Sequence, residues 1–509
     1  MRYLFCLLLF IFGFVAKAQD KTTLDLEKID RYLEKTQKDW NCPGFSVGVI
    51  QDGKLVFSKG YGQKEAGKPE RPDANTLYAI ASNSKAFTSA LMAMHVQDGK
   101  LKWTDKVVDY LPYFRLYEAG VSEKANMYDI LSHRVGLGTF SGDILWYKSK
   151  LTSEQIIHRV RHLPNKYEFR DGFGYSNLMY ITAGEVLKKV SGKSWGEQVK
   201  ERILNPLGMN RTTYKISEVT SLGNYALPHA LVDGKNVPIP FSDWEEIAAT
   251  GGLYSSVNDM SQWLILHLNK GIHGKDTLLR QSSYSAFWDM HNHFPANHSA
   301  YGNFNVNFDG YGLGWILRDY HGQMMAMHTG GYDGMITAVS IFPDLKAGVI
   351  VLTNGLESPM NPVFHYLNEA LLGKPEKDWS QISLERNAAA KANDKRISNK
   401  KAAQIKGTKP SLSLEKYVGT YHCPSYGDIK VSLKDKQLQV DFEHTPFLSA
   451  ALDHFHFDTW QLRWLNPSPW YTFGTMQFKI NAEMKVTGIE FDVPNDDFWF
   501  EELNAAKKP

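Results

Sequence analysis

The chain has 509 residues and a formal net charge of +2, and 43% of its residues are hydrophobic and 22% charged. This composition is typical of a globular protein, and the length allows about three domains, or one large domain with a small one. The small net charge argues against nucleic acid as a partner, because that function needs a strongly basic face.

Residues 1–18 have the features of a secretory signal peptide. Arg2 precedes an apolar run from Leu4 to Val15, and Ala16-Lys17-Ala18 forms an A-x-A cleavage site. The apolar run is shorter than the roughly 20 residues that span a membrane. We therefore predict cleavage near Ala18 and an exported protein, periplasmic or extracellular, with no membrane span in the mature chain.

The first elements of the mature chain are predicted to be a helix, Leu24 to Asp39, and a hairpin of strands Phe45–Ile50 and Lys54–Lys59. The first strand contains Ser46 in a G-x-S-x-G pattern, which marks a nucleophile only where a strand turns sharply into a helix. Here the strand continues into a hairpin, so no catalytic role is expected for Ser46.

A second serine pattern follows, in which Ser82 precedes Lys85 by three residues at the start of an apolar helix predicted from Ala86 to Val96. Residues three apart lie on one face of a helix, so the hydroxyl and the amine can meet. A lysine whose pKa is lowered by burial can remove the serine proton and make the hydroxyl a nucleophile. The same Ser-x-x-Lys spacing recurs at Ser398 and Ser413, but without such a helix.

The chain from Ser84 to about Trp263 is predicted to be mostly helical, and strands return after it. The predicted helices include Ile181–Val190, Trp195–Leu204, Asp259–Leu268 and Val363–Leu372; the later strands are Gly314–Arg318, Met324–Met327, Met335–Phe342 and Gly348–Thr353. The strands at both ends, with the two terminal helices, predict one antiparallel sheet with helical cover, and the helical middle is an insertion beside it. We assign residues 19–375 to this domain.

Two further regions follow. Residues 376–412 are rich in Lys, Asn and Ala and are predicted to be a basic, solvated linker, partly helical. Residues 413–509 contain short alternating strands separated by turn residues, which predicts a small barrel or sandwich. Cys42 and Cys423 lie in different predicted domains, so we expect two unpaired, buried thiols.

Two more segments supply partners for Ser82. In Gly174-Tyr175-Ser176-Asn177, a phenol near a lysine is expected to have a lowered pKa and to relay protons, and Asn177 offers a carboxamide. In His328-Thr329-Gly330-Gly331, at the edge of a predicted strand, the glycines allow a substrate backbone to approach and the N–H groups can serve an oxyanion hole.

With these three motifs in this order, residues 40–374 resemble serine hydrolases of the class C β-lactamase and penicillin-binding-protein type. Supporting segments include Tyr128 to Leu137, Asn205 to Met209 and Tyr311 to Trp315. The region after the linker resembles, more loosely, the lipocalin-like β-domain that some members carry. The resemblance implies an α/β (α+β) β-lactamase/transpeptidase-like fold with a separate all-β barrel.

The resemblance also implies roles for the motif residues. Ser82 is the acylated nucleophile, Lys85 shares the general-base role and Tyr175 relays protons. Asn177 binds the substrate amide or orients Lys85, and His328 and Thr329 contact the far side of the substrate. The backbone N–H groups of Ser82 and Gly331 form the oxyanion hole. Gly330, which lies between Thr329 and Gly331 in the chain, belongs to the same substrate-binding segment. No metal and no organic cofactor is implied.

One position departs from class C β-lactamases, which carry lysine where this chain has His328. A neutral imidazole holds a substrate carboxylate less firmly than an ammonium does. We therefore expect an exported hydrolase of small peptide-like amides or esters, of D-aminopeptidase, DD-carboxypeptidase or esterase type, acting on D-amino-acid-containing compounds such as cell-wall peptides. The alternatives are a class C-type β-lactamase and a sensory protein that is acylated without turnover. The C-terminal domain could mediate oligomerisation.

Overall fold

The computed structural model describes residues 23–294, 306–374 and 377–509. The predicted signal peptide, residues 1–18, lies outside the described residues. Within the described part of the chain, no helix is both long and apolar enough to cross a membrane. Cys42 and Cys423 are both free and buried, as predicted.

An eight-stranded antiparallel sheet forms the centre of the first domain. Its strands, in spatial order, are Lys54–Gly62, Gly44–Gln51, Ala347–Thr353, Met335–Phe342, Gln323–Tyr332, Ile316–Tyr320, Asp309–Tyr311 and Asn292–His293. The N-terminal hairpin lies beside a strand from the other end of the domain, and Val47 is directly opposite Val351. The prediction that strands from both ends form one antiparallel sheet is confirmed.

Helices cover both faces of the sheet. Side chains alternate between the two faces along each strand, so neighbouring apolar residues pack on opposite sides. Val351 packs on one side, with Leu33 and Phe364 of the two terminal helices. Ile350 packs on the other side, with Phe87 and residues of the helical region.

Helices and short strands fill the remainder of the first domain. The α-helices are Leu26–Asp39, Ser84–Gln97, Val107–Tyr110, Ala119–Ser122, Met127–Leu131, Ser153–Arg159, Asn177–Ser191, Trp195–Val199, Asn205–Leu207, Ile216–Leu222, Ala248–Gly251, Val257–Leu268, Gln281–Trp288 and Met360–Leu371. Three two-stranded sheets lie outside the large sheet. They pair Tyr78–Ala79 with Tyr254–Ser255, His229–Val232 with Lys235–Pro238, and Ile272–His273 with Asp276–Thr277.

Several predicted boundaries change, including three in the first domain. The strand predicted at Met324–Met327 extends to Tyr332, because the His328–Gly331 motif continues the ladder with the next strand. The helix predicted from Ile181 begins at Asn177. The helix from Trp195 passes through a π-helical turn, Lys200–Leu204, and continues past Pro206 to Leu207, where Gly208 ends it in the left-handed conformation with φ of 65°.

The segment predicted as a solvated linker forms two helices, Trp379–Asn393 and Arg396–Ala402. Its first turn is not solvated: Trp379 is only 1% exposed, and its Nε1 donates to Glu369 Oε2 at 2.8 Å. An indole buried with its N–H paired is a stable anchor. The expectation of a free tether is therefore wrong at the start of this segment, although most later residues are exposed.

The C-terminal region is a closed barrel of eight antiparallel strands in sequential order, typical of up-and-down barrels. The strands, preceded by the short helix Leu414–Tyr417, are Gly419–Cys423, Gly427–Lys434, Gln437–Phe442, Ala450–His456, Thr459–Trp464, Thr475–Ile480, Val486–Asp492 and Ala505–Lys507. Its apolar core is continuous with that of the helical part of the first domain. The barrel is thus fixed to the first domain by packing.

Candidate active site

Ser82 lies in a 3₁₀ turn, Ala81–Asn83, that leads directly into the helix Ser84–Gln97. Ala81 has a φ of 46°, a conformation that residues with a Cβ rarely adopt. This strained turn holds Ser82 at the start of the helix, where its side chain remains partly exposed. Positive potential at a helix N-terminus favours negative charge that develops on a bound substrate.

Lys85 is completely buried, and its amine has three hydrogen-bond partners. Nζ lies 3.1 Å from Ser82 Oγ, 2.7 Å from Asn177 Oδ1 and 2.7 Å from the Thr250 carbonyl oxygen. Burial lowers the pKa of Lys85 to about 7, although the nearby Asp143 opposes this change. At neutral pH a large fraction of the amine is uncharged and can accept the Ser82 proton.

Asn177 is hydrogen-bonded to this lysine, and orienting Lys85 is one of the two roles that the resemblance implies for it. Its Oδ1 accepts from Lys85 and, at 2.9 Å, from Thr250 Oγ1, while its Nδ2 donates to Asp143 Oδ2 at 2.6 Å. These contacts fix which side of the carboxamide faces the lysine.

Asp143 is a site residue that the sequence analysis missed. It lies in a short 3₁₀ turn, Asp143–Leu145, without a recognisable motif, so only the fold reveals its proximity to Asn177. Burial raises the pKa of Asp143 to about 8. A carboxyl group and an amine that are both driven toward their neutral forms share protons as a coupled pair.

Tyr175 lies beside the lysine, but its pKa changes in the direction opposite to our prediction. Lys85 Nζ is 4.9 Å from the centre of the Tyr175 ring. Burial raises the pKa of Tyr175 well above the ordinary value, with Ser82 opposing the increase. The buried hydroxyl forms no hydrogen bond of standard geometry with the described residues. Tyr175 is therefore a neutral phenol that can donate a proton.

His328 is buried and neutral. Its Nδ1 lies 2.6 Å from the Thr329 carbonyl oxygen, which can only accept, so Nδ1 carries the proton. Nε2 then accepts from the Tyr311 hydroxyl at 2.9 Å. Burial, with the adjacent Lys85, lowers the pKa of His328 to about 3. The expectation of an uncharged imidazole at this position agrees with the structure.

The two glycines of the same motif have different environments. A Cβ on Gly330 would lie 2.2 Å from the Ile80 carbonyl oxygen, just before the Ser82 turn, whereas a Cβ on Gly331 would meet its nearest atom, in Trp470, at 3.6 Å. Gly330 is thus required by packing against the backbone that carries Ser82. The prediction that both glycines leave room for a substrate is therefore wrong for Gly330, which leaves room for the Ile80 carbonyl instead.

The motif residues surround one cavity of about 450 Å³. Ser82, Tyr175, Asn177, His328, Thr329 and Gly331 line it, whereas Lys85 and Gly330 lie behind its wall. Most other lining side chains are aromatic: Phe140, Trp146, Tyr147, Phe173, Trp244, Phe294, Tyr311, Trp470 and Phe498. The cavity suits a ligand with bulky apolar groups, because such surfaces gain free energy when removed from water.

Part of the wall comes from the barrel, which no sequence pattern indicated. Trp470, Asp497 and Phe498 line the cavity together with Ser82. Trp470 Nε1 donates to Asp333 Oδ1 at 2.6 Å, and Asp333 lies in the turn directly after the strand that carries His328. Asp333 is fully buried and also accepts hydrogen bonds from Tyr147 and Ser242. The buried carboxylate that connects the barrel to the first domain therefore has several hydrogen-bond donors.

The other sequence candidates lie elsewhere. Ser46 is buried in its strand, where its Oγ is 2.9 Å from the Asp73 carbonyl oxygen and 3.1 Å from the Tyr78 hydroxyl. Ser398 and Ser413 lie in the segment between the domains and do not contribute to the cavity. Across the described ranges, no group of three or more His, Cys, Asp or Glu residues is placed to hold a metal ion.

Replacing Gly330 by alanine should destabilise the protein, because the new methyl group cannot avoid the Ile80 carbonyl. We expect the free energy of unfolding to fall by about 1–3 kcal/mol. Gly331→Ala is the matched control and should change it by less than about 0.5 kcal/mol, since its methyl group makes ordinary contacts. Denaturant titration of both variants gives the two values, and equal effects would contradict the distinction.

Comparisons with known proteins identify the family of the first domain. The sequence matches the Beta-lactamase family over residues 29–374 and DUF3471, a domain of unknown function, over residues 403–507. It is 27% identical to unguisins hydrolase ungD' of Aspergillus campestris, over 82% of this chain and 79% of that protein. It is 25% identical to protein flp of Staphylococcus aureus, over 70% and 68% of the two chains. An octameric penicillin-binding protein homologue from Pyrococcus abyssi shares the fold with a TM-score of 0.63 and 23% identity, covering 95% of this chain and all of that one. The chain therefore belongs to the Beta-lactamase family.

Proposed function

We propose that this protein is a serine hydrolase that forms an acyl-enzyme on Ser82 and cleaves amide or ester bonds of small peptide-like substrates. The observation that supports this most directly is the buried Lys85 amine, 3.1 Å from Ser82 Oγ and with a pKa of about 7. A general base works best when its pKa is near the working pH, because a large fraction is then unprotonated and still binds a proton well.

In the proposed reaction, neutral Lys85 takes the proton from Ser82, and Oγ attacks the substrate carbonyl. The oxyanion faces the backbone N–H groups of Ser82 and Gly331, the pair that the family resemblance implies. The neutral phenol of Tyr175 then gives its proton to the leaving group and regains one from the Lys85 ammonium. A water molecule attacks the acyl group, and its proton returns through the same groups to Ser82.

The walls of the cavity favour some substrate classes over others. The described lining residues include no lysine or arginine, and His328 is neutral. A β-lactam or a carboxypeptidase substrate presents a carboxylate that such a site holds weakly. We therefore favour aminopeptidase or esterase chemistry on compounds with apolar side chains, with D-amino-acid peptides as the first class to test. The relatives named unguisins hydrolases support hydrolysis in general.

Export belongs to the same proposal, since the features of residues 1–18 favour it. N-terminal sequencing of protein recovered outside the cytoplasm should then begin at Gln19, and an intact Met1 end would contradict export.

The role of Ser82 is tested with a fluorescent fluorophosphonate and a fluorescent penicillin. The wild type should be labelled, and Ser82→Ala should lose the label and at least about a thousandfold in kcat/KM on an active ester or D-aminoacyl anilide. Ser46→Ala is the control and should keep both, because Ser46 lies outside the cavity. Equal labelling of wild type and Ser82→Ala would reject the proposal.

Two outcomes would favour the alternative functions. Rapid turnover of a chromogenic cephalosporin would favour a β-lactamase, and a stable label without product would favour a sensory protein.

The pH dependence tests Lys85 as the base. Activity requires the neutral amine, so kcat/KM should be constant above about pH 7 and fall about tenfold per pH unit below it. In Asp143→Asn the midpoint should move to lower pH, because the Lys85 ammonium loses the coupled carboxyl group whose ionised form favours it. Asp109→Asn, at an exposed position, should leave the midpoint unchanged. A profile of Asp143→Asn that superimposes on the wild type would contradict this assignment.

A further inference from the structure

The barrel contributes one charged group to the active-site cavity. Asp497 follows the strand Val486–Asp492 and lines the cavity, with Phe498 beside it and Trp470 from another barrel loop. Apart from Asp143, it is the only acidic residue among the described residues that form the wall. Asp143 is hydrogen-bonded to Asn177, so the two carboxyl groups have different roles.

The segment that carries Asp497 is held in place by its own turn and by the first domain. The Asn495 side chain accepts from the backbone N–H groups of Asp497, at 2.9 Å, and Phe498, at 2.6 Å. Farther along, the Glu502 carboxylate accepts from Ser141 Oγ at 2.5 Å and from the Gly142 N–H at 2.7 Å. Such contacts pre-organise the wall before a ligand arrives.

The Asp497 carboxylate has no donor in the described structure, although it is largely buried. None of the described residues donates a hydrogen bond to it or forms an ion pair with it, and no lysine or arginine is among the described residues lining the cavity. The sequence of residues 295–305, which follow the lining residue Phe294, contains neither lysine nor arginine. Burial raises the pKa of Asp497 to about 6, so the group is ionised at pH 8.

An ionised carboxylate that is largely removed from water and has no partner is unfavourable, and a cation that binds to it relieves this cost. The aromatic side chains around it also attract cations through their ring faces. The same charge repels a carboxylate. The cavity is therefore electrostatically complementary to a ligand that is cationic at one end and apolar elsewhere.

We propose that Asp497 is a substrate-recognition residue supplied by the barrel, which binds an ammonium or guanidinium group of the substrate while Trp470 and Phe498 contact its apolar part. The assignment of the ligand as a substrate rests on the proposed function, whereas the cation site itself does not. The barrel then selects peptide-like substrates with a free amine or a basic side chain near the scissile bond.

The test measures binding directly, so it does not depend on Ser82 chemistry. The full-length protein is titrated at pH 8 with 2-phenylethylamine, and separately with phenylacetate, by calorimetry. The amine should bind to the wild type, and Asp497→Asn, which keeps the shape but removes the charge, should weaken binding at least about tenfold. Asp496→Asn is the matched control, since this neighbour is exposed and pairs with Arg396, and it should bind like the wild type.

A second measurement links the site to hydrolysis. A D-phenylalanyl ester is compared with its N-acetyl derivative, and Asp497→Asn should lose the preference for the free amine through an increase in KM, with kcat nearly unchanged. Amine binding that is equal in wild type and Asp497→Asn, or stronger binding of phenylacetate than of the amine by the wild type, would overturn the cation site. If amine binding depends on Asp497 while Ser82 is never labelled, the cation site stands and the proposed hydrolysis fails.

Discussion

The burial of the Lys85 amine is the constraint on which the rest of this site depends. An amine removed from water needs acceptors for its hydrogen atoms, and three different parts of the chain provide them: the turn at Ser82, the helix start at Asn177 and the carbonyl of Thr250. The same burial shifts the amine toward its neutral form. The same contacts therefore satisfy the buried amine and hold it against the Ser82 hydroxyl, which we propose it activates.

The residues beyond this centre share an electrostatic character. Asp143, His328 and Tyr175 are all driven toward their uncharged forms by burial. The side chains around Ser82 therefore carry little net charge near neutral pH. Asp497 differs, since its pKa of about 6 leaves it ionised in mildly alkaline solution in the wall of the same cavity. The proposed functions would thus be divided, with chemistry assigned to neutral groups of the first domain and recognition to one charge of the barrel.

Local sequence patterns predicted much of this structure, and the failures have physical reasons. The Ser82–Lys85 spacing predicted a contact because a helical turn brings such residues together. The sheet followed from alternating apolar residues at both ends of the domain. The lowered pKa expected for Tyr175 was wrong, because proximity to a lysine was considered without the larger effect of burial. Asp143 and the barrel residues could not be found from sequence, since only the fold brings Asp497 to the cavity that contains Ser82, more than 400 residues earlier in the chain.

The position of the barrel after the first domain has a consequence for synthesis. The proposed nucleophile, base and proton relay emerge from the ribosome before Trp470, Asp497 and Phe498. Domains generally fold as units in order of synthesis, so the first domain can assemble its catalytic groups while one side of the cavity is still open to solvent. The cavity wall is completed only when the barrel residues from Trp470 to Phe498 have been added. A chain that terminates before Trp470 would therefore keep Ser82 and lose the surface that we propose limits what can reach it.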